Sequence, residues 1–382
     1  YSSAASDVYK RQQLNQDWIN YLKRAVKRGI EDGLDGIWFD NMGLYHCFCK
    51  AHRELFAQYT LKKLGRRCEI PEEFDFKGEV SREFVRFHNE SYVKFHRELS
   101  KYAKSIKKDF LISSNMNPPG QCPGQSLKDV GQVLDYIYLE AGYGMPYADG
   151  RDIKHNTMNY LFAKATNPGK PIVLAAYPRL REPTGIPTGF LTLTEPRSQR
   201  LALAEAKIFG ASFLYLYNEP LVTEEVSGTF AGPFMQQNMA GNGIERVVAS
   251  LFRAFPDEAS GLLKGGLSVG GAARELSRRH HLPVIEAAVK YNRFFKENAE
   301  NYAQDQYVDV ALLCSIPTFN WHYRCRNYEE LYGSMQVLLD SSVLFTLITD
   351  EQLSSARERG AQLLILPDSK CLSDDTINLV RS

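Results

Sequence analysis

Short apolar runs alternating with amphipathic, helix-length stretches predict an α/β protein: an incomplete (β/α)8 barrel holding strands four to eight, then a truncated flavodoxin-like domain. Three observations carry this. The runs Ile37–Phe39, Phe110–Ser114, Tyr136–Leu139, Pro171–Ala176 and Ala211–Tyr217 are apolar in character, as strands buried on both faces are. Each is followed by polar residues or by Pro and Gly, the signature of loops gathered around one mouth. The same alternation restarts near Tyr307, after a stretch of different texture. Five strand units would also suit an open doubly wound sheet; the polar residues behind every strand favour the barrel.

Residues 1–13 stand apart. Ser2–Gln12 looks like translated sequencing-adaptor sequence, and the chain stops within a helical pattern that has no cap, so it is expected to be an internal fragment of a longer gene. The barrel portion is then 14–304 and the second domain 305–382. Asn15 or Asp17 is placed to cap a helix over Trp18–Asp32, with Trp18, Leu22, Val26 and Ile30 on one face. The strand Ile37–Asp40 follows at once. Helices are expected over Cys49–Leu64 and Ser81–Ile106, the latter with Phe84, Phe87, Phe95, Leu99 and Ile106 at helical spacing. His88 and His96 lie on or near that stripe and read as core or surface residues. Helices over Asp152–Ala165 and Pro196–Phe209 separate the later strands, which implies parallel strands joined by right-handed crossovers. Leu221–Gln304 is loop-rich and then helical. Its Gly265–Gly271 run lacks the Gly-Lys-Ser/Thr of a phosphate loop and reads as a flexible connection, with a helix over Pro283–Tyr302 behind it. From Tyr307 the pattern is strand Val308–Ile316, helix Tyr328–Leu339, strand Val343–Ile348, helix Gln352–Arg359, strand Leu363–Leu366 and a helix from Ser373.

Composition narrows the function classes. With 382 residues, 44% hydrophobic and 24% charged, this is an ordinary globular chain, and its net charge of +1 supplies no field for nucleic acid or an anionic membrane. No apolar run is long enough to span a bilayer. The seven cysteines are an odd, scattered set, which argues against a disulfide framework and for a reducing, cytoplasmic compartment.

Asp40 closes the first strand, where barrels and α/β sheets collect ligands and catalytic groups; the plainer role for such a residue is to cap the next loop. Asn41, Asn115, Asn117, Tyr143, Tyr177, Arg179 and Asn218 also follow or close strands and can recognise hydroxyl groups, although Asn and Tyr there are as often turn formers. Trp38 alternates with its strand neighbours and suits a barrel wall beside the substrate, core packing being the plainer role. Cys47, Cys49 and His52 have the spacing of three ligands to a tetrahedral zinc; two buried thiols are the alternative.

Taken together, Gly36-Ile-Trp-Phe-Asp40, Cys47-x-Cys49-x-x-His52, Leu214-Tyr-Leu-Tyr-Asn218, Val310-Ala-Leu-Leu and Leu363-Leu-Ile-Leu-Pro367 resemble a glycoside hydrolase of the family 42 β-galactosidase type or a related barrel hydrolase. The resemblance implies a (β/α)8 barrel followed by a trimerisation domain with a class I glutamine-amidotransferase-like fold, hence a homotrimer in the full-length protein. It also implies a cysteine cluster after strand four that holds a structural zinc, with His52 here in place of the third cysteine. Beyond that possible zinc no cofactor is required. The catalytic residues do not carry over: family 42 ends strand four in Asn-Glu and strand seven in Glu, whereas Asp40-Asn41 and Tyr177-Pro-Arg179 stand here. The pattern also resembles α-galactosidase and α-fucosidase-like barrels, with a nucleophilic Asp after strand four and an acid/base carboxylate near strand six. That implies Asp40 as nucleophile and Glu140 as acid/base, with Glu219 the rival acid and a carbohydrate as substrate. A retaining glycosidase, inactive as this piece alone, is the expectation, and a non-catalytic carbohydrate-binding barrel the alternative.

Overall fold

The computed structural model describes residues 16–39, 48–73, 75, 77–116, 126–140, 155–176, 179–180, 192–193, 196–215, 252, 255–280, 282–302, 308–321 and 326–381. In chain order, the first elements are α1 (Gln16–Glu31), β1 (Gly36–Phe39), α2 (Lys50–Leu64), α3 (Glu79–Ile106), β2 (Leu111–Met116), α4 (Leu127–Gly131), β3 (Ile137–Glu140), α5 (His155–Thr166) and β4 (Ile172–Ala176). A two-residue hairpin pair, β5 (Arg179–Leu180) and β6 (Thr192–Leu193), precedes α6 (Pro196–Ile208) and β7 (Ser212–Tyr215). Among the described residues the helices that follow are α7 (Pro256–Lys264), α8 (Val269–His280) and α9 (Leu282–Glu297). The chain then continues through β8 (Val310–Cys314), α10 (Ile316–Trp321), α11 (Arg326–Asp340), β9 (Phe345–Thr349), α12 (Leu353–Glu358), β10 (Leu363–Ile365) and α13 (Asp374–Arg381).

Five strands lie side by side in the order β1-β2-β3-β4-β7, and the β1–β2 and β2–β3 ladders are parallel. Spatial order follows chain order with no reversal, which is how a barrel winds and how a doubly wound sheet does not. The three-stranded sheet β10-β8-β9 is also parallel but does reverse, because β8 lies between the two strands that follow it. The chain divides into two compact units, one of residues 1–139, 158–173 and 305–382, the other of 140–157 and 174–304.

In the first unit, α1 buries Ile19, Leu22 and Val26, and stops where Gly33 takes φ 88° and donates back to Ile30. Asp17 lies inside the first turn, where a carboxylate suits the positive helix end, and is not the cap. Gly36 is required by space: a Cβ there would stand 2.8 Å from the Leu111 backbone oxygen. α2 and α3 share an aromatic core of Phe56, Phe84 and Phe87 with Ile70, and Phe56 meets Phe84 edge-on at 5.1 Å. Lys23 of α1 reaches Glu98 of α3 at 2.6 Å.

In the second unit, α6 packs on α9 through Leu203 and Phe295. The glycine run differs from its sequence reading. Gly265 and Gly266 close α7, with φ 90° at Gly266, but Val269, Gly270 and Gly271 begin α8, whose first turn is held by the Ser268 hydroxyl accepting from Gly271 N at 3.1 Å. A serine cap outweighs two poor helix formers. No described helix is long and apolar enough to cross a membrane.

Candidate active site

The strands aim their carboxyl ends through register. Phe39 is level with Ser114, and Asn115 with Tyr138, so β3 runs two residues past the level of Phe39 to Leu139 before reaching Glu140. Pleating sends Ile112, Ser114, Ile137, Leu139 and Phe39 to one face, where all are buried. Trp38, Ser113 and Tyr138 take the other face, and the Trp38 and Tyr138 rings meet at 4.6 Å with a 46° tilt. The Trp38 indole Nε1 is buried with no hydrogen-bond partner among the described residues. Two buried hydroxyls stitch neighbouring strands near this end: Ser114 Oγ donates to Phe39 O at 2.9 Å and Ser113 Oγ to Tyr136 O at 2.8 Å. Burial, the larger effect, pushes the Tyr136 phenol up, against the lowering hydrogen bond with Ser113.

Trp38 thus lies beside the aromatic ring of another strand. Asn115 ends at the register position beside Tyr138, Glu140 closes β3, and Arg179 opens the β5–β6 hairpin; for these three the backbone alone is described. Asp40, Asn41, Asn117, Tyr143, Tyr177, Asn218, Glu219 and Cys47 lie outside the described residues.

Of the zinc candidates, Cys49 is a half-buried thiol at the start of α2, and His52 is 4% exposed. The His52 ring packs against Phe84, Phe87 and His88, the last stacked at 5.2 Å. Among the described residues no three His, Cys, Asp or Glu side chains converge as a metal site, so Cys49 and His52 do not make one without Cys47.

A groove of about 410 Å³ runs along the outer face of α2, lined by Phe48, Lys50, Arg53 and Glu54 and by Arg67 and Glu69 beyond the helix. Charged residues at helical spacing read as a solvated face; the segment that folds back to make them a groove has no periodic signal.

The described elements make a mixed α/β protein whose five-stranded sheet follows chain order. No protein-family model and no curated protein matches the sequence. Solved structures do: the β-galactosidase of the psychrophilic Marinomonas ef1 (TM-score 0.61, 14% identity, 97% of this chain and 58% of that one) and that of Bacillus circulans sp. alkalophilus (0.58, 11%, 96% and 53%). An apo exo-carrageenase of glycoside hydrolase family 42 from Bacteroides ovatus also matches (0.51, 11%, 87% and 44%). The fold is therefore that of a glycoside hydrolase barrel resembling family 42, and the chain spans about half the length of these relatives.

Proposed function

We propose that this chain is part of a retaining glycoside hydrolase that cleaves an O-glycosidic bond in an oligosaccharide or polysaccharide, with Asp40 as nucleophile and Glu140 as acid/base. The observation that carries the reading is the unreversed parallel order of β1, β2 and β3, each running out into a carboxylate or amide, on a fold shared with β-galactosidases. In this reading β1, β2, β3, β4 and β7 are strands four to eight of a barrel and the β10-β8-β9 sheet begins a flavodoxin-like domain.

The chemistry follows from the residue types. One carboxylate attacks the anomeric carbon while the other, protonated, delivers its proton to the departing oxygen; the second, now ionised, then takes a proton from water, whose oxygen attacks the anomeric carbon and breaks its bond to the first. A retaining enzyme holds the two carboxyl groups about 5–5.5 Å apart, an inverting one about 6.5–9.5 Å. In this reading Glu140 is the carboxyl that holds its proton near neutral pH while Asp40 stays ionised.

The test uses the protein expressed from its own gene against a panel of aryl glycosides. Asp40→Ala is expected to abolish turnover of every substrate. Glu140→Gln is expected to cost about 10²–10⁴-fold on poor leaving groups, the usual worth of a general acid, and far less on dinitrophenyl glycosides, which leave without a proton. Wild-type turnover that Asp40→Ala leaves intact would sink the assignment.

A further inference from the structure

The groove along α2 is built more firmly than a crevice between solvated side chains needs to be. Arg53 donates from Nε to Phe48 O at 2.8 Å and from Nη1 to Glu69 at 3.2 Å, while its guanidinium lies 5.5 Å above the Phe48 ring. Arg67 donates to Glu54 Oε2 at 2.6 Å, and Gln58 holds the other oxygen at 2.9 Å. Exposed ion pairs contribute about 1 kcal/mol or less, so fold stability does not account for two of them facing one cavity.

What the pairs do provide is a set of fixed donors and acceptors. A guanidinium has five N–H donors; Arg53 uses two and Arg67 one in the hydrogen bonds above, so others remain for a ligand. Carboxylate oxygens lie beside them. Adjacent donor and acceptor atoms match the adjacent hydroxyls of a sugar ring, and Phe48, 40% exposed, offers an apolar surface for a C–H face. Lys50, Arg53/Glu54 and Ala57 recur at helical spacing, so the helical wall is about 10 Å long, enough for two rings. The opposite face of α2, with His52, Phe56 and Thr60, is committed to the core. Lys50 makes no ion pair among the described residues, and cations on the wall outnumber acids by three (Lys50, Arg53, Arg67) to two (Glu54, Glu69).

We propose that this groove binds an acidic disaccharide unit, with its hydroxyls on the Arg53–Glu69 and Arg67–Glu54 pairs and its carboxylate or sulfate at Lys50. That the occupant is a sugar rests on the glycosidase reading; that it is polar and anionic rests on the groove.

The half-buried Cys68 thiol, which lines the same groove, reports occupancy without any turnover. Its alkylation by iodoacetamide is followed by mass spectrometry of its peptide in the full chain, with digalacturonate, lactose or sodium sulfate as probe. Digalacturonate is expected to slow alkylation about tenfold, equivalent to 1.4 kcal/mol, lactose less and sulfate not at all. Protection should vanish in Phe48→Ala and in Arg67→Gln, with melting temperatures confirming that both fold, and should persist in Asp40→Asn. Equal protection by sulfate, absence of protection by digalacturonate, protection that survives both groove variants, or its loss in Asp40→Asn would each overturn the groove. Protection in a protein that turns over no glycoside would instead overturn the glycosidase reading and leave the groove standing.

Discussion

His96 shows how a single side chain sets a property of this protein. It is fully buried on α3 between Tyr92 and Phe95, its Nδ1 donates to Tyr92 O at 3.0 Å, and burial, the dominant effect, pushes the imidazole down from 6.5 to about 4. The unfolded chain therefore binds a proton that the folded chain refuses between those values. Stability supplied by the neutral ring is complete above about pH 6.5, falls as the pH drops towards 4, and changes no further below it. The span corresponds to a loss on the order of 3 kcal/mol. Urea midpoints between pH 4 and 7 should show that slope, and His96→Leu should flatten it; a variant with the wild-type slope would assign the effect elsewhere. The sequence puts His96 on or near the α3 stripe with Phe84, Phe95 and Leu99, and leaves core or surface open. Nothing local to His96 says how dry its pocket is, since Tyr92 and Phe95 would flank it on any helix.

At the scale of elements, close contacts decide which glycines are replaceable. Gly131 ends α4, and a Cβ there would stand 2.0 Å from Asn167 Oδ1. Asn167 cannot easily withdraw, because its Nδ2 donates to Leu127 O at 3.1 Å and to Thr166 Oγ1 at 3.0 Å, tying α4 to the end of α5. Gly131→Ala is expected to cost about 1–3 kcal/mol, the range for overfilling a packed site. Gly270, in the first turn of α8, meets nothing within 4 Å, and Gly270→Ala is expected to stabilise by about 0.4–1 kcal/mol. Thermal melts of the two variants should move in opposite directions; a common direction would show that the contact at Gly131 is relieved elsewhere. Long periodic elements such as α1 and α3 were legible to within two residues. α4 and the β5–β6 hairpin were not, because five-residue and two-residue elements are too short to show a period. The site divides the same way: strand ends can be counted along the chain, whereas the α2 groove needs residues 67–69 to return against residues 48–57.

At the scale of the molecule, the first unit joins segments far apart in the sequence. Phe319 of α10 meets Phe162 of α5 at 5.9 Å, and Lys128 of α4 pairs with Glu351 behind β9. No local pattern announces either contact, and the sequence reading placed residues 305–382 as a domain of their own. If the ring contact couples the segments, Phe319→Ala should cost about 2–3 kcal/mol from lost burial and ring packing, and calorimetry should show 308–381 melting ahead of the rest. Lys128→Ala, removing an ion pair with an exposed partner, should cost about 1 kcal/mol or less. Superimposable thermograms for Phe319→Ala and wild type would show that the coupling lies elsewhere.

The Ser114 hydroxyl on the Phe39 carbonyl has a consequence for how such a scaffold is varied. A carbonyl gripped from the neighbouring strand cannot swivel, so the chain departs from β1 at an angle set by β2 and not by whatever comes next. The launching direction and the cargo are thereby separated. Loops of different length and chemistry can be exchanged after Phe39 while the point and heading from which they start stay constant.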